Sequence, residues 1–357
     1  MKAAVLEMPR KLVVKDIPMR KCGKDEVLVK VKACGICGSD IRYFNGENPW
    51  ALHTLGKNLP NPPNIILGHE LAGEVVEVGN ELLKHLIGKR VGVEPYNTCG
   101  MCPFCRTGRY NLCRQTRHIG HGAGWGEMDY FPGGMAEYLS VWATHVYELP
   151  DNVSYEEAAI LDPMAVALHA LSLSGIRPGS KVFVIGCGAV GLSIAQCAKV
   201  YGAARIFLSD VFRGALDVAS KIPGFDLIDA STADVVEYIK DNTDGEGADV
   251  IFDTAGNRQT QEQAFNLLAN SGTLVNLVAN TKPVDFNLAM LSGERRIVGS
   301  SNNLYEDYLL AIELAGAKKI DTLSMITHRF GLDEVNKGFD VMLNKEETGA
   351  LKVVINI

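Results

Sequence analysis

The sequence lacks an excess of positive charge, since 35 lysine and arginine residues stand against 42 aspartate and glutamate residues, for a net charge of −7. A nucleic acid is therefore not expected as the main partner. The sequence also lacks an apolar run at its beginning, because Glu7 interrupts it, and no secretory signal is expected. The charge-free stretch between Lys181 and Lys199 is shorter than the about 20 residues of a membrane span. We expect a cytoplasmic protein with no membrane partner.

Internal repeats and low-complexity tracts are absent as well. Apolar residues make up 47% of the 357 residues and charged residues 22%, which is typical of globular proteins and excludes wholesale disorder. Domains usually have roughly 100 to 200 residues, so this length predicts two domains. The nine cysteines are an odd number in a chain with no expected signal, which argues against a secreted disulfide framework.

The first part of the chain has short apolar segments separated by glycine and proline turns. Strands are predicted at 27–33, 72–79 and 90–93, and the second of them alternates clearly between apolar and polar residues. Regularly spaced short strands of this kind are typical of a β-rich, barrel-like domain.

The pattern changes near Pro150 to an alternation of strands and helices. Ser154 and Glu157 have the spacing of a capping box at the start of a helix. The elements predicted from here on are helices at 158–161, 164–173, 190–201 and 305–315 and strands at 182–185, 205–209, 250–252, 273–277 and 351–355. Such alternation predicts a parallel sheet covered on both faces. The segment after about residue 297 is expected to pack back on the first domain.

A glycine-rich pattern, G-x-G-x-x-G, follows the predicted strand at 182–185 and opens the next helix. Its first glycine permits a tight turn, the second lets the backbone approach a pyrophosphate, and the third allows close packing of helix and strand. The helix N-terminus adds positive partial charge. Dinucleotide binding is therefore favoured over a glycine-rich turn in an unrelated domain, and the predicted cofactor-binding residues are Gly186, Gly188, Ala189, Val190 and Gly191.

Asp210 stands at the end of the next predicted strand. An acid in this place accepts hydrogen bonds from the adenosine ribose hydroxyls and repels a 2′-phosphate, which predicts NAD rather than NADP. Arg213 lies close by in the sequence and weakens that preference.

Four cysteines occur within fifteen residues, with the spacing C-x2-C-x2-C-x7-C. Tetrahedral zinc binds four thiolates in such a closed, structural site. An iron–sulfur pattern begins in the same way, but its last gap is shorter and is followed by proline. Disulfides are the third possibility. Zinc is favoured on ligand type and spacing, and its predicted ligands are Cys99, Cys102, Cys105 and Cys113.

A second group of metal-binding residue types lies in the same β-rich part of the chain. Cys37 belongs to the segment C-G-I-C-G-S-D, and His69 and Glu70 belong to G-H-E. One thiolate, one imidazole and one carboxylate would make an open site with room for water or substrate. Taken separately, each residue is also compatible with a buried free cysteine or with a histidine satisfied in a loop.

At this point the whole chain resembles the zinc-dependent medium-chain alcohol dehydrogenases, particularly the branch of sorbitol (polyol) and threonine dehydrogenases. C-G-I-C-G-S-D, G-H-E, the four-cysteine segment and G-x-G-x-x-G occur in the order typical of that family. The segments Ile326-Thr327-His328-Arg329-Phe330 and Lys337-Gly338-Phe339 are also similar to this branch.

The resemblance implies an α/β protein with a GroES-like, β-rich catalytic domain at 1–153 and 297–357. A Rossmann domain with a doubly wound parallel sheet, at 154–296, is expected to interrupt it and to bind NAD. Two zinc ions per subunit, one catalytic and one structural, and a homotetramer are also implied.

The resemblance assigns the catalytic residues one by one. Cys37 and His69 match the catalytic zinc ligands, and Glu70 matches an acid that binds the metal or lies beside it. Asp162 falls where the polyol branch usually has glutamate, and its shorter side chain makes direct ligation less certain. Cys34 matches a position that is not a ligand and is interpreted as a small core residue.

The reaction implied is hydride transfer between NAD(H) and a small-molecule secondary alcohol or ketone. Zinc lowers the pKa of the substrate hydroxyl, Ser39 takes up the proton, and the substrate carbon delivers hydride to C4 of the nicotinamide. Ser39 is also compatible with a hydroxyl that caps the helix after it.

Three departures from the family pattern bear on the substrate. Arg42 stands where many members have the outer histidine of the relay, so the proton is expected to leave through water or another histidine, or Arg42 binds an anionic group. The arginine–tyrosine pair that contacts polyols falls near Asn302 and Asn303. The segment between Cys37 and His69 is longer than usual, and it and the segment 122–131, with Trp125, are candidates for loops near the cleft.

The leading hypothesis is an NAD-dependent, zinc-dependent dehydrogenase of a polyol or sugar-derived secondary alcohol. The alternatives are a threonine-type amino alcohol dehydrogenase, supported by Asp162-Pro163, and a non-catalytic NAD-binding relative. A thiol redox sensor using Cys34 and Cys37 is disfavoured, because zinc would hold Cys37 as a ligated thiolate.

Overall fold

The computed structural model describes residues 1–278 and 286–357, without the side chains of residues 53 and 54. The chain divides into two compact units, one formed by Met1–Asp162 and Ile326–Ile357 and the other by the residues between them. The sequence predicts boundaries at 153/154 and 296/297. The helix that follows Ser154 packs on strands of the first unit, and the strand and helix after residue 296 lie in the second unit, which shifts both boundaries along the chain.

The strands of the described residues are, in chain order, β1 (Lys2–Met8), β2 (Lys11–Asp16), β3 (Glu26–Ile36), β4 (Ile65–Ile66), β5 (Glu70–Val78), β6 (Arg90–Val93), β7 (Tyr96–Asn97), β8 (Arg117–His118), β9 (Tyr138–Trp142), β10 (Val146–Glu148), β11 (Lys181–Ile185), β12 (Arg205–Asp210), β13 (Asp226–Asp229), β14 (Ala248–Asp253), β15 (Leu268–Asn276), β16 (Arg296–Gly299), β17 (Ile326–Gly331) and β18 (Lys352–Asn356). The predicted strands all lie in these positions, with bounds that differ by a few residues.

The α-helices are α1 (Gly38–Phe44), α2 (Pro49–Leu55), α3 (Pro103–Arg106), α4 (Tyr155–Ala159), α5 (Asp162–Ser174), α6 (Ala189–Val200), α7 (Arg213–Ala219), α8 (Val235–Asp241), α9 (Arg258–Leu267), α10 (Tyr305–Gly316), α11 (Val335–Leu343) and α12 (Lys345–Thr348). No helix in the described part of the chain is long and apolar enough to cross a membrane.

The first unit is built around β3, which is buried along nearly its whole length. Its main sheet has the order β10-β6-β5-β3-β18-β17, and β9 also pairs with β3. The last strand of the chain, β18, pairs antiparallel with β3, as expected for a tail that returns to the first domain. The helix α10, which was expected to return with it, lies in the second unit.

The second unit has a six-stranded parallel sheet with the order β13-β12-β11-β14-β15-β16. Numbered within the sheet, this order is 3-2-1-4-5-6, the Rossmann arrangement. The order in which successive strands are added changes direction between β11 and β14, and the loop after β11 carries the predicted glycine-rich pattern. The predicted α/β architecture, a β-rich unit and a Rossmann unit, is therefore confirmed.

The predicted capping box is confirmed, although the helix is placed earlier than predicted. The Ser154 side chain accepts a hydrogen bond from the Glu157 backbone N–H at 3.2 Å, and Glu157 Oε2 accepts one from the Ser154 N–H at 2.8 Å. The helix α4 runs over Tyr155–Ala159, so the prediction of a helix at 158–161 was wrong in its bounds. A capped helix begins directly after its cap residue.

Candidate metal centres and nucleotide-binding loop

Cys37, His69 and Glu70 come together in the first unit. Cys37 follows β3 and is the residue that precedes α1, His69 immediately precedes β5, and Glu70 is the first residue of β5. Because β3 and β5 are paired, these ends of the two strands meet. One ligand atom from each of the three residues lies within 4.8 Å of the others. One sulfur, one nitrogen and one oxygen donor form the ligand chemistry expected of an open zinc site.

The carboxylate of Asp40 connects the two segments that carry this cluster. It is fully buried and accepts hydrogen bonds from the Cys37 N–H at 2.8 Å and from the Gly68 N–H at 3.1 Å. Its Oδ1 also lies 3.6 Å from His69 Nδ1. The sequence pattern alone does not single out Asp40, but an acid three residues after the residue that precedes a helix is a capping signal. Asp40 orients a candidate ligand in the way typical of residues behind a metal site.

The charges around the cluster are strongly coupled. Burial by itself lowers the pKa of His69, but the neighbouring Asp40 and Cys37 raise this pKa well above its ordinary value. Glu70 accepts a hydrogen bond from Lys352 Nζ at 2.6 Å. Burial also lowers the pKa of Lys352, and the charges of Glu70 and Cys37 outweigh it and raise this pKa. Sequence reasoning misses Lys352, which comes from β18 and carries no motif.

Asp162, the other predicted carboxylate ligand, is the first residue of α5. It is not in the group of ligand atoms within 4.8 Å of one another. Burial raises the pKa of Asp162 to about 6, and His69 and Glu70 are among the charges that act on it. Asp162 therefore belongs to the surroundings of the cluster, and its role as a ligand stays a prediction. Cys34 is fully buried in the core of the first unit, which agrees with its interpretation as a core residue.

Ser39, the predicted proton relay, is the second residue of α1. Its hydroxyl oxygen is buried and has no hydrogen-bond partner within the described residues. The residue that precedes α1 is Cys37, so the alternative in which Ser39 caps this helix is wrong. A buried hydroxyl without a partner requires water or a ligand. Arg42 forms an ion pair with Glu47 at 2.8 Å, which compensates its charge.

Four aromatic rings form a nearly parallel stack beside His69. His118 and His121 stack with ring centroids 4.0 Å apart and planes 9° apart. Tyr43 stacks on the outer face of His121 at 4.6 Å, and Tyr96 on the outer face of His118 at 5.9 Å. His69 meets both histidine rings edge-on, at 4.7 Å from His121 and 5.5 Å from His118. Sequence reasoning misses this stack, because isolated histidines carry no pattern.

Of the two unusual segments, 122–131 is a loop of turns and bends, and the segment between Cys37 and His69 combines short helices with loop. The long segment between Cys37 and His69 contains α2, whose first turn is capped by the Asn48 side chain accepting from the Ala51 N–H at 3.1 Å. In the segment 122–131, Trp125 stacks on Trp142 at 5.3 Å. A tryptophan stacked in this way holds its segment against the core of the first unit.

The four remaining predicted zinc ligands also converge, around α3. One ligand atom from each lies within 4.8 Å of the others, and the sulfur–sulfur separations given by the closest pairs are 3.5, 3.6 and 3.8 Å. Tetrahedral zinc with bonds of about 2.3 Å places its sulfurs roughly 3.8 Å apart. None of the nine cysteines forms a disulfide bond, so the disulfide alternative is wrong. Backbone N–H groups of Met101 and Cys102 lower the pKa of Cys99 to about 6, which favours a thiolate.

The backbone of the glycine-rich loop leaves no room for a side chain at two of its three glycines and is open at the other. Gly186 has a φ of +99°, and a Cβ there would lie 2.5 Å from Thr254 Oγ1. A side chain at Gly191 would collide with the carbonyl oxygen of Gly186. Gly188 immediately precedes α6, and no atom lies within 4 Å of the place its Cβ would take. This open place at a helix N-terminus fits the approach of a pyrophosphate, with Ala189 and Val190 in the first turn.

Asp210 lies at the end of β12, next to the glycine-rich loop. Its carboxylate accepts hydrogen bonds from the Cys187 N–H at 2.7 Å and from the Phe212 N–H at 2.9 Å. Arg213 is exposed and pairs with Asp217 at 3.1 Å, with Asp229 a further 3.9 Å neighbour. Its charge is thus compensated by two acids, and the carboxylate of Asp210 dominates this edge of the loop.

Asn302 and Asn303 lie in the second unit, between β16 and α10. Asn302 has a left-handed backbone with a φ of +53°, which asparagine tolerates well. Asn303 is 1% exposed. Neither residue has the length or the charge of the arginine–tyrosine pair expected at this place.

The comparisons with known families agree with both units. Residues 23–151 match the model of the alcohol dehydrogenase GroES-like domain, and residues 189–317 match that of the zinc-binding dehydrogenases. The β-rich first unit is therefore GroES-like, as predicted.

Individual relatives match over nearly the whole chain. The sorbitol dehydrogenase of Bacillus subtilis is 31% identical, over 99% of this chain and 97% of its own. The L-threonine 3-dehydrogenase of Bacillus licheniformis is 32% identical, over 91% of this chain and 90% of its own. The crystal structure of a putative zinc-binding dehydrogenase from Sinorhizobium meliloti, bound to NADP, has a TM-score of 0.87 and 32% identity, covering 100% of this chain and 99% of its own.

Proposed function

The chain belongs to the zinc-dependent medium-chain alcohol dehydrogenases, in the branch of the sorbitol and threonine dehydrogenases, and we propose that it is an NAD-dependent polyol dehydrogenase. It transfers hydride between NAD(H) and a secondary alcohol or ketone of a polyol or sugar-derived substrate. The sorbitol dehydrogenase from Bacillus subtilis supports this substrate class. The homotetramer and the cytoplasmic location that the resemblance implies stay predictions.

One observation carries the proposal: a cluster of metal-binding atoms and, two residues along the chain from one of its members, a buried hydroxyl without a hydrogen-bond partner among the described residues. The ligand atoms of Cys37, His69 and Glu70 lie within 4.8 Å of one another, and Ser39 Oγ, two residues along the chain from Cys37, is buried without a hydrogen bond among the described residues. In a structural metal site, protein ligands occupy every coordination position of the metal, and no reactive group is needed next to it. An open donor set with a free hydroxyl beside it suits a site that binds and deprotonates an alcohol.

Cys37 and His69 would hold the catalytic zinc, with Glu70 or Asp162 as a further, carboxylate ligand. Zinc bound there supplies Lewis acidity, which lowers the pKa of an alcohol hydroxyl. Asp40 keeps His69 in place through its contacts with both segments. Lys352 forms a buried ion pair with Glu70 and compensates its charge.

Ser39 takes up the hydroxyl proton and passes it outward. Arg42 cannot serve as the next base, because a guanidinium stays charged near neutral pH and this one is paired with Glu47. Water or a histidine is therefore the outer end of the relay. The four-cysteine group holds a structural zinc, and its closed donor set gives it no part in the reaction.

Gly186, Gly188 and Gly191 bind the pyrophosphate of the cofactor together with the first turn of α6. A nicotinamide cofactor held there would supply the hydride acceptor. Asp210 has free lone pairs for the adenosine ribose hydroxyls besides the two backbone contacts it makes. Its negative charge disfavours a 2′-phosphate, and Arg213 is engaged by two acids, so NAD is preferred over NADP.

The test uses the zinc-loaded protein with NAD and with NADP, following absorbance of the reduced cofactor. The substrates are sorbitol, xylitol, an inositol, a sugar alcohol phosphate and L-threonine. We expect oxidation of the neutral polyols with NAD, abolished in Cys37→Ala while NADH binding by fluorescence stays within about twofold of wild type. Absence of turnover with every alcohol, in protein that holds two zinc ions and binds NADH, would instead identify a non-catalytic relative.

The second candidate is a threonine-type enzyme. The Bacillus licheniformis L-threonine 3-dehydrogenase and the Asp162-Pro163 pair favour it. The carboxylate of threonine would require a cation, and the nearest one in sequence to the relay, Arg42, is already paired. Turnover of L-threonine without turnover of polyols would reverse the order of the two candidates.

A further inference from the structure

The stack formed by Tyr43, His121, His118 and Tyr96 has no part in the function proposed above. It lies in the first unit, directly against His69, and it contains two imidazoles that are not among the proposed zinc ligands. A ligand atom of His121 lies within 4.8 Å of one of His69. His121 is grouped with His69 and Asp40 rather than with Cys37 and Glu70, so the stack borders the cluster at His69.

The segment that carries the two histidines is held tightly. Gly120 has a φ of +78°, and a Cβ there would lie 2.7 Å from the carbonyl oxygen of Gly68, the residue before His69. On the other side, Trp125 Nε1 donates a hydrogen bond to the carbonyl of His118 at 2.8 Å. The rings therefore have a fixed position next to His69, as a recognition site requires.

The hydrogen bonds of the rings leave nitrogen atoms free for a ligand. His118 Nδ1 lies 2.7 Å from the carbonyl oxygen of Ile119, so this nitrogen is the donor and Nε2 carries the lone pair of the neutral ring. His121 Nε2 is buried and has no hydrogen-bond partner in the described part of the chain. A buried ring nitrogen of this kind is normally paired with water or with a ligand.

We propose that the edge of the His118–His121 pair binds a second hydroxyl of the substrate, on the carbon next to the one that is oxidised. The substrate class is then the vicinal diols, including polyols. The inference rests on the polyol function proposed above and adds the residues that select for it. His69 is the candidate ligand for the reacting hydroxyl, and hydroxyls on adjacent carbons are close enough together for one to reach His121.

The chemistry of the stack suits a neutral group. The two rings lie 4.0 Å apart, and an imidazole offers both a hydrogen-bond donor and an acceptor nitrogen when it carries one proton. A substrate ammonium next to His69 would lie near the charge of a bound metal ion. A hydroxyl carries no charge that a metal ion would repel. It can also donate a hydrogen bond to imidazole or accept one from it.

The test compares 2,3-butanediol with 2-butanol, two secondary alcohols that differ by one vicinal hydroxyl. In the zinc-loaded enzyme with NAD, we expect kcat/KM to favour the diol, mainly through KM. His121→Phe keeps a ring in the stack and removes the nitrogen. It should reduce the preference for the diol about tenfold, the value of one hydrogen bond, and His121→Asn should restore part of it. His145→Phe, which replaces a histidine packed on Trp142 outside the stack, should leave the preference unchanged.

Binding gives a readout that does not depend on turnover. The Kd of 2,3-butanediol for the zinc-loaded protein with NADH, measured by calorimetry, should rise about tenfold in His121→Phe. An equal decrease in kcat/KM for both alcohols in His121→Phe, or an unchanged Kd of 2,3-butanediol in the folded variant, would overturn the inference while leaving the polyol function intact. Failure of the wild-type enzyme to oxidise any alcohol, together with a normal Kd change, would instead count against the proposed function alone.

Discussion

Lys352 Nζ lies 2.6 Å from Glu70 Oε1, and the two side chains are only 3% and 1% exposed. The residues are 282 positions apart in the chain, and Lys352 Nζ also donates to the carbonyl of Ile36 at 3.4 Å. Lys352 thus places a buried positive charge against Glu70, one of the residues of the metal cluster.

Removing this cation should destabilise the first unit strongly. Lys352→Met leaves the Glu70 carboxylate buried and unpaired, a change that costs roughly 3 kcal/mol, or a decrease in Tm of roughly 6 to 12 °C for a unit of this size. The double variant Lys352→Met/Glu70→Leu should recover most of the loss in thermal unfolding. The control is Lys337→Met, whose partner Glu334 is on the surface and contributes less than about 1 kcal/mol. A single variant as stable as the control would contradict the role of the pair.

The four-cysteine group should account for half of the bound zinc. Cys105→Ser removes one of four thiolates, so metal analysis should give about one zinc ion per chain where the wild type has two, with a lower Tm. NADH binding should persist, because the glycine-rich loop lies in the other unit. Cys22→Ser is the matched control and should keep both ions, because Cys22 donates to the carbonyls of Gly23 and Glu26 and belongs to neither group of predicted zinc ligands. Two ions retained in Cys105→Ser would exclude this ligand.

Asp210 should set the choice of cofactor. Asp210→Ala removes the charge that repels a 2′-phosphate, and the ratio of kcat/KM for NADP to that for NAD should rise about 10-fold or more. Asp234→Ala is a suitable control, because Asp234 also accepts two backbone hydrogen bonds but does so at the start of α8. If the ratio does not change, Asp210 only braces the loop through Cys187 and Phe212.

Glu94 should make the stability of the first unit depend on pH. This carboxyl is 1% exposed, and burial raises its pKa from 4.5 to about 7, although hydroxyl donors from Tyr147 and Tyr110 act in the opposite direction. Because the folded pKa is the higher one, the folded protein binds more protons between those values, and the contribution of Glu94 to stability falls as pH rises from about 4.5 to about 7.

The loss amounts to roughly 3 kcal/mol over the whole window. Glu94→Gln cannot ionise, so its Tm relative to the wild type should rise between pH 5 and pH 8. Glu148→Gln, at an exposed acid paired with Lys89, should show no such trend. Parallel Tm curves for Glu94→Gln and the wild type would contradict the raised pKa.

The parts of the site that the sequence predicts are those with a local pattern. The four cysteines and the glycine-rich loop are contiguous segments, and the geometry of each follows from its own spacing. The four central strands of the Rossmann sheet follow in the same way from strand and helix periods, whereas its edge strands, β13 and β16, were not predicted. For Cys37 and His69, family resemblance was needed, because their proximity depends on the pairing of β3 with β5.

The parts that the sequence does not predict are contacts between residues without a motif. Lys352 resembles any lysine in a strand until the pairing of β18 with β3 places it behind Glu70. His118 and His121 are separated by two residues, but their stacking depends on the turn at Gly120. The domain boundaries depend on where α4 and α10 pack, which periodicity does not specify.

The pairing of β18 with β3 has a consequence for synthesis on the ribosome. β3 emerges early, but the strand that completes its sheet, and the lysine that neutralises Glu70, are translated only after the entire Rossmann unit. Until then the nascent first unit exposes an unpaired strand edge, which is a site for pairing with other chains. The Rossmann unit, whose sheet is contiguous in sequence, can fold during this interval. Folding of the first unit therefore cannot finish before β18 has been made, and a delay up to that point would extend the time in which aggregation competes.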